Sequence, residues 1–235
     1  MQLSAPIYVL RQRARKLSRV ESIPLTEAQR RIAREEGFTS WSLMISRQPT
    51  APAGRILKDL QPGELVLLAA RPQQGKTQLG LELLAEAVTQ GRRGYFFTLE
   101  YTQDDVERLA RSCGLSLEGL VIDHSDAIEG AYIEARLDAA QAGDVVVIDY
   151  LQVLDQRRET PPVAEQLTAL GGFARSRGLV MILISQVQRS FDGSGRDMPE
   201  LEDVRQPNPF DVALFDRACV IHAGQIELQT ISASP

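Results

Sequence analysis

The hydrophobic positions follow two different rhythms, one before residue 50 and one after it. In the first part, apolar residues recur every three or four positions, which is the spacing of amphipathic helices. From residue 55 onward, short apolar runs alternate with amphipathic stretches, as in strands separated by helices. The chain therefore predicts a small helical module over 1–47, a Pro- and Gly-containing linker over 48–54 and an α/β domain over 55–235.

Three short helices are predicted in the first module. Residues 6–21 place apolar side chains on one face and arginines on the others. Thr26 followed by Gln29 is a capping-box pattern, which predicts a second helix that stops at Gly37. Ser40 is predicted to cap a third helix, in which Trp41 contributes to a small core.

The second domain is predicted to be a mostly parallel central sheet with helices on both faces, because its strands are apolar throughout. The predicted strands are Glu64–Ala69, Gly94–Leu99, Leu120–Ile122, Val145–Ile148, Leu179–Ile184, Ala218–Ile221 and Ile226–Gln229. The predicted helices are Lys76–Thr89, Gln103–Ser112, Glu129–Ala142 and Val163–Ser176.

Charge is distributed unevenly between these two parts. The 235 residues contain 26 Lys+Arg and 31 Asp+Glu, for a net charge of −5. Residues 1–50, however, hold nine basic and four acidic residues. This excludes a uniformly basic nucleic-acid-binding protein but leaves a basic module on an acidic body. Two cysteines, no signal peptide and no membrane-spanning run predict a cytoplasmic protein with no membrane contact.

The strongest candidate for chemistry lies between the first predicted strand and the helix after it. Backbone N–H groups there face a phosphate, and Gly75 permits close approach. Lys76 reaches phosphate oxygens, and the Thr77 hydroxyl ligates Mg²⁺. Position 70 is alanine where the strict phosphate-loop pattern has glycine. The predicted nucleotide-binding loop is Ala70, Arg71, Pro72, Gln73, Gln74, Gly75, Lys76 and Thr77.

Two carboxylates follow other predicted strands. Asp149 follows the apolar run Val145–Ile148 and is predicted to hold the water shell of Mg²⁺, so that it and Thr77 bind the ion partly through water. Glu100 follows a second strand and is predicted to act as the general base toward water. Because the carboxyl ends of parallel strands lie at one sheet edge, both should face the loop.

These motifs together resemble the RecA-like motor domain of the DnaB family of hexameric replicative helicases, over residues 55–222. The quoted matches are A-A-R-P-Q-Q-G-K-T at 69–77, T-L-E at 98–100, I-D-Y-L-Q at 148–152, I-S-Q-V-Q-R at 184–189 and, more weakly, P-E-L-E-D-V-R at 199–205. The resemblance implies a RecA-like P-loop fold, ATP and Mg²⁺ as cofactors, and ATP hydrolysis coupled to DNA binding or unwinding in DNA replication.

The resemblance also implies roles for individual residues. Glu100, Lys76 and Gln186 would be catalytic, with Gln186 sensing the γ-phosphate and relaying that state to residues 187–200. In relatives this loop faces the central channel of a ring and tracks single-stranded DNA. Arg189, Arg196 and Arg205 would therefore contact nucleic acid, and the chain would assemble into a homo-oligomeric ring such as a hexamer.

Two departures from the family pattern change these expectations. Residues 225–235 contain no Lys or Arg, so no K-x-R arginine finger is seen and we expect weak hydrolysis unless Arg205 or Arg217 substitutes. The first 50 residues are also too few for the primase-binding domain of replicative helicases. An alternative is therefore a nucleotide-switched regulatory or partner-binding ATPase without helicase activity. A small-molecule kinase is disfavoured, because Gln186 and the D-Y-L-Q string fit motor ATPases better.

The basic module leaves two interpretations open. The rhythm of residues 26–45 is that of a helix-turn-helix, and the helix before it is rich in arginine, which indicates a nucleic-acid contact. Alternatively, residues 1–47 dock a protein partner or a second subunit. Their arginines would then be solvated and paired at i,i+4 spacing, as in Arg31 and Glu35.

Overall fold

The chain consists of two compact units, Met1–Ala51 and Pro52–Pro235, in a computed structural model. The structure describes residues 4–5, 7–46, 52–149, 151, 154, 161–206 and 208–231. Tyr150 and Gln152 of the D-Y-L-Q string, and residues 48–51 of the predicted linker, lie outside these ranges. None of the helices within them is long and apolar enough to cross a membrane.

The first unit contains the three predicted helices, α1 (Ile7–Glu21), α2 (Leu25–Glu35) and α3 (Trp41–Ser46). Trp41 packs, half-buried, against their core, as predicted. Ser40 caps α3 by accepting a hydrogen bond from the Leu43 N–H at 3.1 Å. The buried core consists of Leu10, Ala14, Ala28, Ile32, Ala33 and Met44.

The predicted capping box of α2 is wrong. The N-cap is Pro24, and Thr26 lies inside the first turn without a capping hydrogen bond. Pro24 has an extended conformation, and its carbonyl accepts from the N–H groups of Glu27 and Ala28. Because this carbonyl already begins the helical hydrogen bonding, α2 starts before Thr26 is able to cap it.

The second unit is built on a seven-stranded sheet, and all seven predicted strands are present. The strand order is β3-β2-β4-β5-β1-β6-β7, and every pair is parallel except β6 with β7. The strands are β1 (Leu65–Ala70), β2 (Gly94–Thr98), β3 (Leu120–Asp123), β4 (Val145–Asp149), β5 (Val180–Gln186), β6 (Arg217–His222) and β7 (Gln225–Thr230).

Helices cover both faces of the sheet, and an apolar core lies under each face. They are α4 (Pro52–Asp59), α5 (Lys76–Thr89), α6 (Gln103–Cys113), α7 (Gly130–Arg136) and α8 (Val163–Arg177). Helix α4 was not predicted, and the last residues of the predicted linker, 52–54, form its first turn. Proline fits there because the first turn of a helix needs no N–H donor, and Ile56 and Leu57 anchor the helix in the core.

The predicted helix Glu129–Ala142 is much shorter than expected. It ends at Arg136, and the N–H of Ala140 then donates to the carbonyl of Leu137 in a tighter turn. Arg177 donates to the carbonyl oxygens of Asp138 and Ala140. Since a side chain from α8 satisfies these carbonyls, the backbone leaves the helical path early.

Candidate nucleotide site

The loop between β1 and α5 has the backbone of a phosphate cradle. Gly75 is the N-cap of α5 and has φ +91°, in the left-handed region. A Cβ built at this position would meet nothing within 4 Å. The position therefore needs glycine for its backbone conformation and leaves open space in front of the N-terminus of α5, where anions are favoured.

A buried hydrogen bond joins this loop to β4. The Thr77 hydroxyl donates to Asp149 Oδ2 at 2.7 Å, and Asp149 has no exposed surface. Its other oxygen, Oδ1, is buried and has no hydrogen-bond partner among the described atoms. Lys76 is also buried, with 9% of its surface exposed. Two predicted site residues separated by 72 positions therefore meet directly.

Burial raises the pKa of Asp149 to about 6. The Thr77 hydroxyl and the Lys76 ammonium oppose this shift, and the nearby Glu100 carboxylate adds to it. A carboxylate with an unpartnered buried oxygen, next to a threonine hydroxyl, is a donor set that fits Mg²⁺. Together with Lys76, these residues fit a magnesium nucleotide.

Glu100 lies at the same sheet edge, just after β2. Thr98 pairs in register with Asp149, and the Thr98 hydroxyl accepts a hydrogen bond from the Glu100 N–H at 3.2 Å. Glu100 is exposed, whereas Asp149 is fully buried. The two carboxylates thus occupy different environments: one suits contact with water and the other suits a bound cation.

Tyr101 is a site residue that the sequence analysis missed. Burial raises the pKa of its hydroxyl, and the nearby side chain of Thr77 opposes this shift. The aromatic ring also packs against the core on the α5 face of the sheet. The one signal in the sequence that could have identified Tyr101 was its position directly after the carboxylate Glu100.

Gln186 ends β5 beside the phosphate loop, paired in register with Ala70. Its side-chain oxygen accepts from Arg205 at 3.4 Å, and its backbone carbonyl accepts from the Arg205 N–H at 2.7 Å. Both contacts hold Arg205 against Gln186, the residue that the resemblance implies as the γ-phosphate sensor. Gln186 is thus a second predicted site residue, after Asp149, that lies beside the phosphate loop.

Arg71 connects the phosphate loop to the segment after β5. It forms a two-pronged ion pair with Asp192, at 2.9 and 2.8 Å, and donates to the carbonyl of Val187 at 3.0 Å. Gln74 reaches the opposite neighbour and accepts from the Ala223 N–H at 3.1 Å. The loop is thus tied to β5 and β6 on its two flanks.

The segment after β5 is itself packed rather than extended into solvent. Phe191 is buried within a 3-10 turn, Arg189–Gly193. Arg196 binds both oxygens of Asp203 at 2.7 Å and one oxygen of Glu200 at 2.8 Å, and it lies over the Phe191 ring. Arg189 is exposed. Of the three arginines predicted to contact nucleic acid, Arg196 is instead bound to residues of its own segment, and these contacts order the segment.

Residues 101–211 match the DnaB-like helicase C terminal domain. The predicted resemblance to DnaB-type motor domains is confirmed. A protein named Probable plasmid replicative DNA helicase, from Chlamydia trachomatis, is 28% identical over an alignment of 194 positions, which covers 66% of this chain and 43% of that protein. Replicative DNA helicase DnaB of Geobacillus stearothermophilus is 26% identical over an alignment of 191 positions, which covers 65% of this chain and 41% of that protein. The chain therefore spans less than half the length of these relatives.

The architecture agrees with this match. The solved structure of a DnaB-like replicative helicase superposes with a TM-score of 0.57 at 18% identity, covering 90% of this chain and 63% of that chain. A KaiC-like protein of Pyrococcus horikoshii superposes with a TM-score of 0.52 at 22% identity, covering 67% of this chain and 70% of that chain. At these identities the superpositions show the fold alone. The second unit accordingly has the predicted RecA-like P-loop fold with a mostly parallel central sheet.

Proposed function

We propose that the chain is a Mg²⁺-dependent ATPase that couples ATP hydrolysis to single-stranded DNA, as a compact DnaB-like motor. The observation that carries this proposal is the buried contact between Thr77 and Asp149, with Glu100 exposed at the same sheet edge. This arrangement separates a cation-binding carboxylate from a base that water reaches. The relatives named above are replicative DNA helicases, which supports the same activity.

Each residue has a distinct part in this proposal. The magnesium nucleotide supplies a transferable γ-phosphoryl group whose charge the cation partly neutralises. Asp149 and Thr77 would hold the cation, and Lys76 would hold the phosphate oxygens. The backbone N–H groups that follow Gly75 would donate to the same oxygens. Glu100 orients the attacking water and accepts its proton.

In this proposal, Gln186 links the nucleotide to the segment that follows β5. Its side chain contacts Arg205, and the neighbouring Arg71 holds Asp192 of that segment. A phosphate that hydrogen-bonds to Gln186 or Arg71 would therefore compete with the contacts that these side chains make to residues 187–205. Arg189, exposed in this segment, is the residue we assign to the DNA phosphates. A homo-oligomeric ring such as a hexamer would place several such segments around one strand.

Turnover of ATP with and without single-stranded DNA tests the proposal. The wild-type chain should hydrolyse ATP in the presence of Mg²⁺, and the rate of hydrolysis should rise when single-stranded DNA is added. Glu100→Gln should lose about 100-fold or more of this turnover while still binding ATP, since general bases contribute about 10²–10⁴ in rate. Glu118→Gln, an exposed carboxylate remote from the site in sequence, is the matched control and should behave as wild type.

The same assay distinguishes our proposal from the alternative function that the sequence left open. A nucleotide-switched regulatory ATPase would bind ATP tightly and show no acceleration by DNA. The comparisons do not favour this alternative, because the relatives that match over about two thirds of the chain are helicases. Tight binding with unstimulated turnover would nevertheless contradict our proposal.

A further inference from the structure

Two residues of the second unit hold a backbone conformation that their side chains disfavour. Gln73, in the phosphate loop, has φ +66°, and Ala223, in the turn between β6 and β7, has φ +45°. Among the non-glycine residues that the structure describes, only Ser22 of the first unit shares a positive φ with them. Such strain persists only where surrounding contacts hold it, and it is concentrated at functional sites.

At Gln73 the strain comes from a tight turn in the phosphate loop. The N–H of Gln74 donates to the carbonyl of Arg71 at 3.3 Å, which closes a four-residue turn. Pro72 is the second residue of this turn and Gln73 is the third. Proline at the second position and a positive φ at the third are the signature of a type II turn, whose third residue is ordinarily glycine or asparagine. Glutamine therefore opposes the conformation that the turn needs.

The strained turn is also part of what makes the loop an anion cradle. The φ angle is positive at Gln73 and at Gly75, and it is not positive at Gln74 between them. Successive N–H groups along a backbone that alternates in this way point into one concavity, which binds anions. Glycine supplies the second positive φ without strain. The first one has to be held by contacts with the rest of the fold.

One such contact comes from the turn between β6 and β7. Ala223 and Gly224 both have positive φ, as in the type I′ turn of a two-residue hairpin loop. The residues on either side, His222 and Gln225, pair across the hairpin. The Ala223 N–H donates to the side-chain oxygen of Gln74 at 3.1 Å. One strained residue thus bonds directly to the neighbour of the other, and we call this hydrogen bond the loop brace.

We propose that Gln74 is a positioning residue, which holds the phosphate loop ready for the phosphates of a nucleotide by means of the loop brace. This inference rests on the proposed function, because it takes a nucleotide as the ligand of the loop. Without the brace, Gln73 is free to leave its left-handed conformation, and the cradle has to form again when phosphate binds. Binding would then be weaker by the free energy of that rearrangement.

Calorimetric titration of ADP with Mg²⁺ on the full chain measures this effect without hydrolysis. Gln74→Met keeps the length of the side chain and removes the acceptor. We expect it to weaken ADP binding about two- to tenfold, the range that one net hydrogen bond supplies. Gln90→Met, the same substitution at the exposed far end of α5, is the control and should bind ADP as wild type does. Urea unfolding of each variant shows whether the proteins compared are folded.

The variant that isolates the brace is Gln73→Gly, because glycine takes a positive φ without strain. In this background the turn does not need the brace, so adding Gln74→Met should weaken ADP binding less than about twofold. The four proteins form a double-mutant cycle, in which a change at position 73 rescues the loss at position 74. The loss of a direct contact between the Gln74 side chain and the nucleotide would not be rescued.

Two outcomes would overturn the role of the brace alone. One is an unchanged ADP affinity in Gln74→Met. The other is an equal loss from Gln74→Met in both backgrounds, which would assign the Gln74 side chain to the nucleotide itself. In either case wild type still binds ADP, and the proposed nucleotide site stands. A wild-type chain that binds no ADP would instead contradict the proposed function and the role of the brace together.

Discussion

At the scale of single residues, Asp149 shows what the proposed cation site costs in stability. Its pKa of about 6 lies above the ordinary value of 3.8, so the folded chain holds this proton more tightly than the unfolded chain. The resulting stabilisation is fully present below about pH 3.8 and is lost as the pH rises through about 6. At about 1.36 kcal/mol per pKa unit, the loss amounts to at most about 3 kcal/mol.

Asp149→Asn should therefore stabilise the nucleotide-free chain near pH 7.5, by up to about 3 kcal/mol, while abolishing Mg²⁺-dependent nucleotide binding. Near pH 4 the gain should largely disappear, because the wild-type carboxyl is then protonated. Urea unfolding at the two pH values measures the difference. Asp138→Asn, at a side chain that is 94% exposed, is the control and should change neither value. A variant that is less stable than wild type near pH 7.5 would contradict this account.

At the scale of elements, the turn from β1 into α5 depends on one backbone conformation. Gly75→Ala should destabilise the chain by about 1–2 kcal/mol, because alanine is strained at φ +91° although its Cβ meets no atom. Gly172→Ala, within α8 and equally free of contacts, should stabilise by about 0.4–1 kcal/mol. Denaturant unfolding measures the change in the free energy of unfolding for each variant, and the two changes should have opposite signs. Changes of the same sign would contradict the argument from backbone conformation.

The ion pair between Arg71 and Asp192 joins two elements, the phosphate loop and the segment after β5. Asp192 is exposed to solvent, so breaking the pair should change the stability of the chain little. Asp192→Asn should leave basal ATP turnover within about twofold and reduce its acceleration by single-stranded DNA several-fold. Asp197→Asn, exposed in the same segment, should reduce neither. Equal acceleration in both variants would show that the pair does not couple the two elements.

Strands and the phosphate loop were predictable from the sequence, whereas contacts between segments were not. Apolar runs such as Val145–Asp149 have a local signal, because a strand buried on both faces admits few polar residues. The shortened α7 depends on Arg177, 37 and 39 residues away from the carbonyls it binds. The partners of Arg71 and Arg196, and the position of Tyr101 beside Thr77, likewise follow from tertiary packing. The sequence predicted candidate residues for the site, but it could not predict which residues contact them.

At the scale of the whole molecule, the parallel sheet gathers residues that lie far apart in the chain. The phosphate loop, Glu100, Asp149 and Gln186 all lie at the carboxyl ends of β1, β2, β4 and β5. Three of these strands are neighbours in the order β2-β4-β5, and β1 follows. The negative charge of the second unit does not prevent binding of a nucleotide, because Lys76 and the α5 N-terminus supply the local positive potential.

The central claim is that Thr77 and Asp149 hold the cation of a bound magnesium nucleotide. Its most direct test is calorimetric titration of ATP, with Mg²⁺ and with EDTA, on wild type, Thr77→Ser and Thr77→Val. Serine keeps the hydroxyl, and valine keeps the shape without it. We predict that Mg²⁺ tightens ATP binding about tenfold or more in wild type and Thr77→Ser, and that Thr77→Val loses this effect. The same Mg²⁺ dependence in all three proteins would contradict the account.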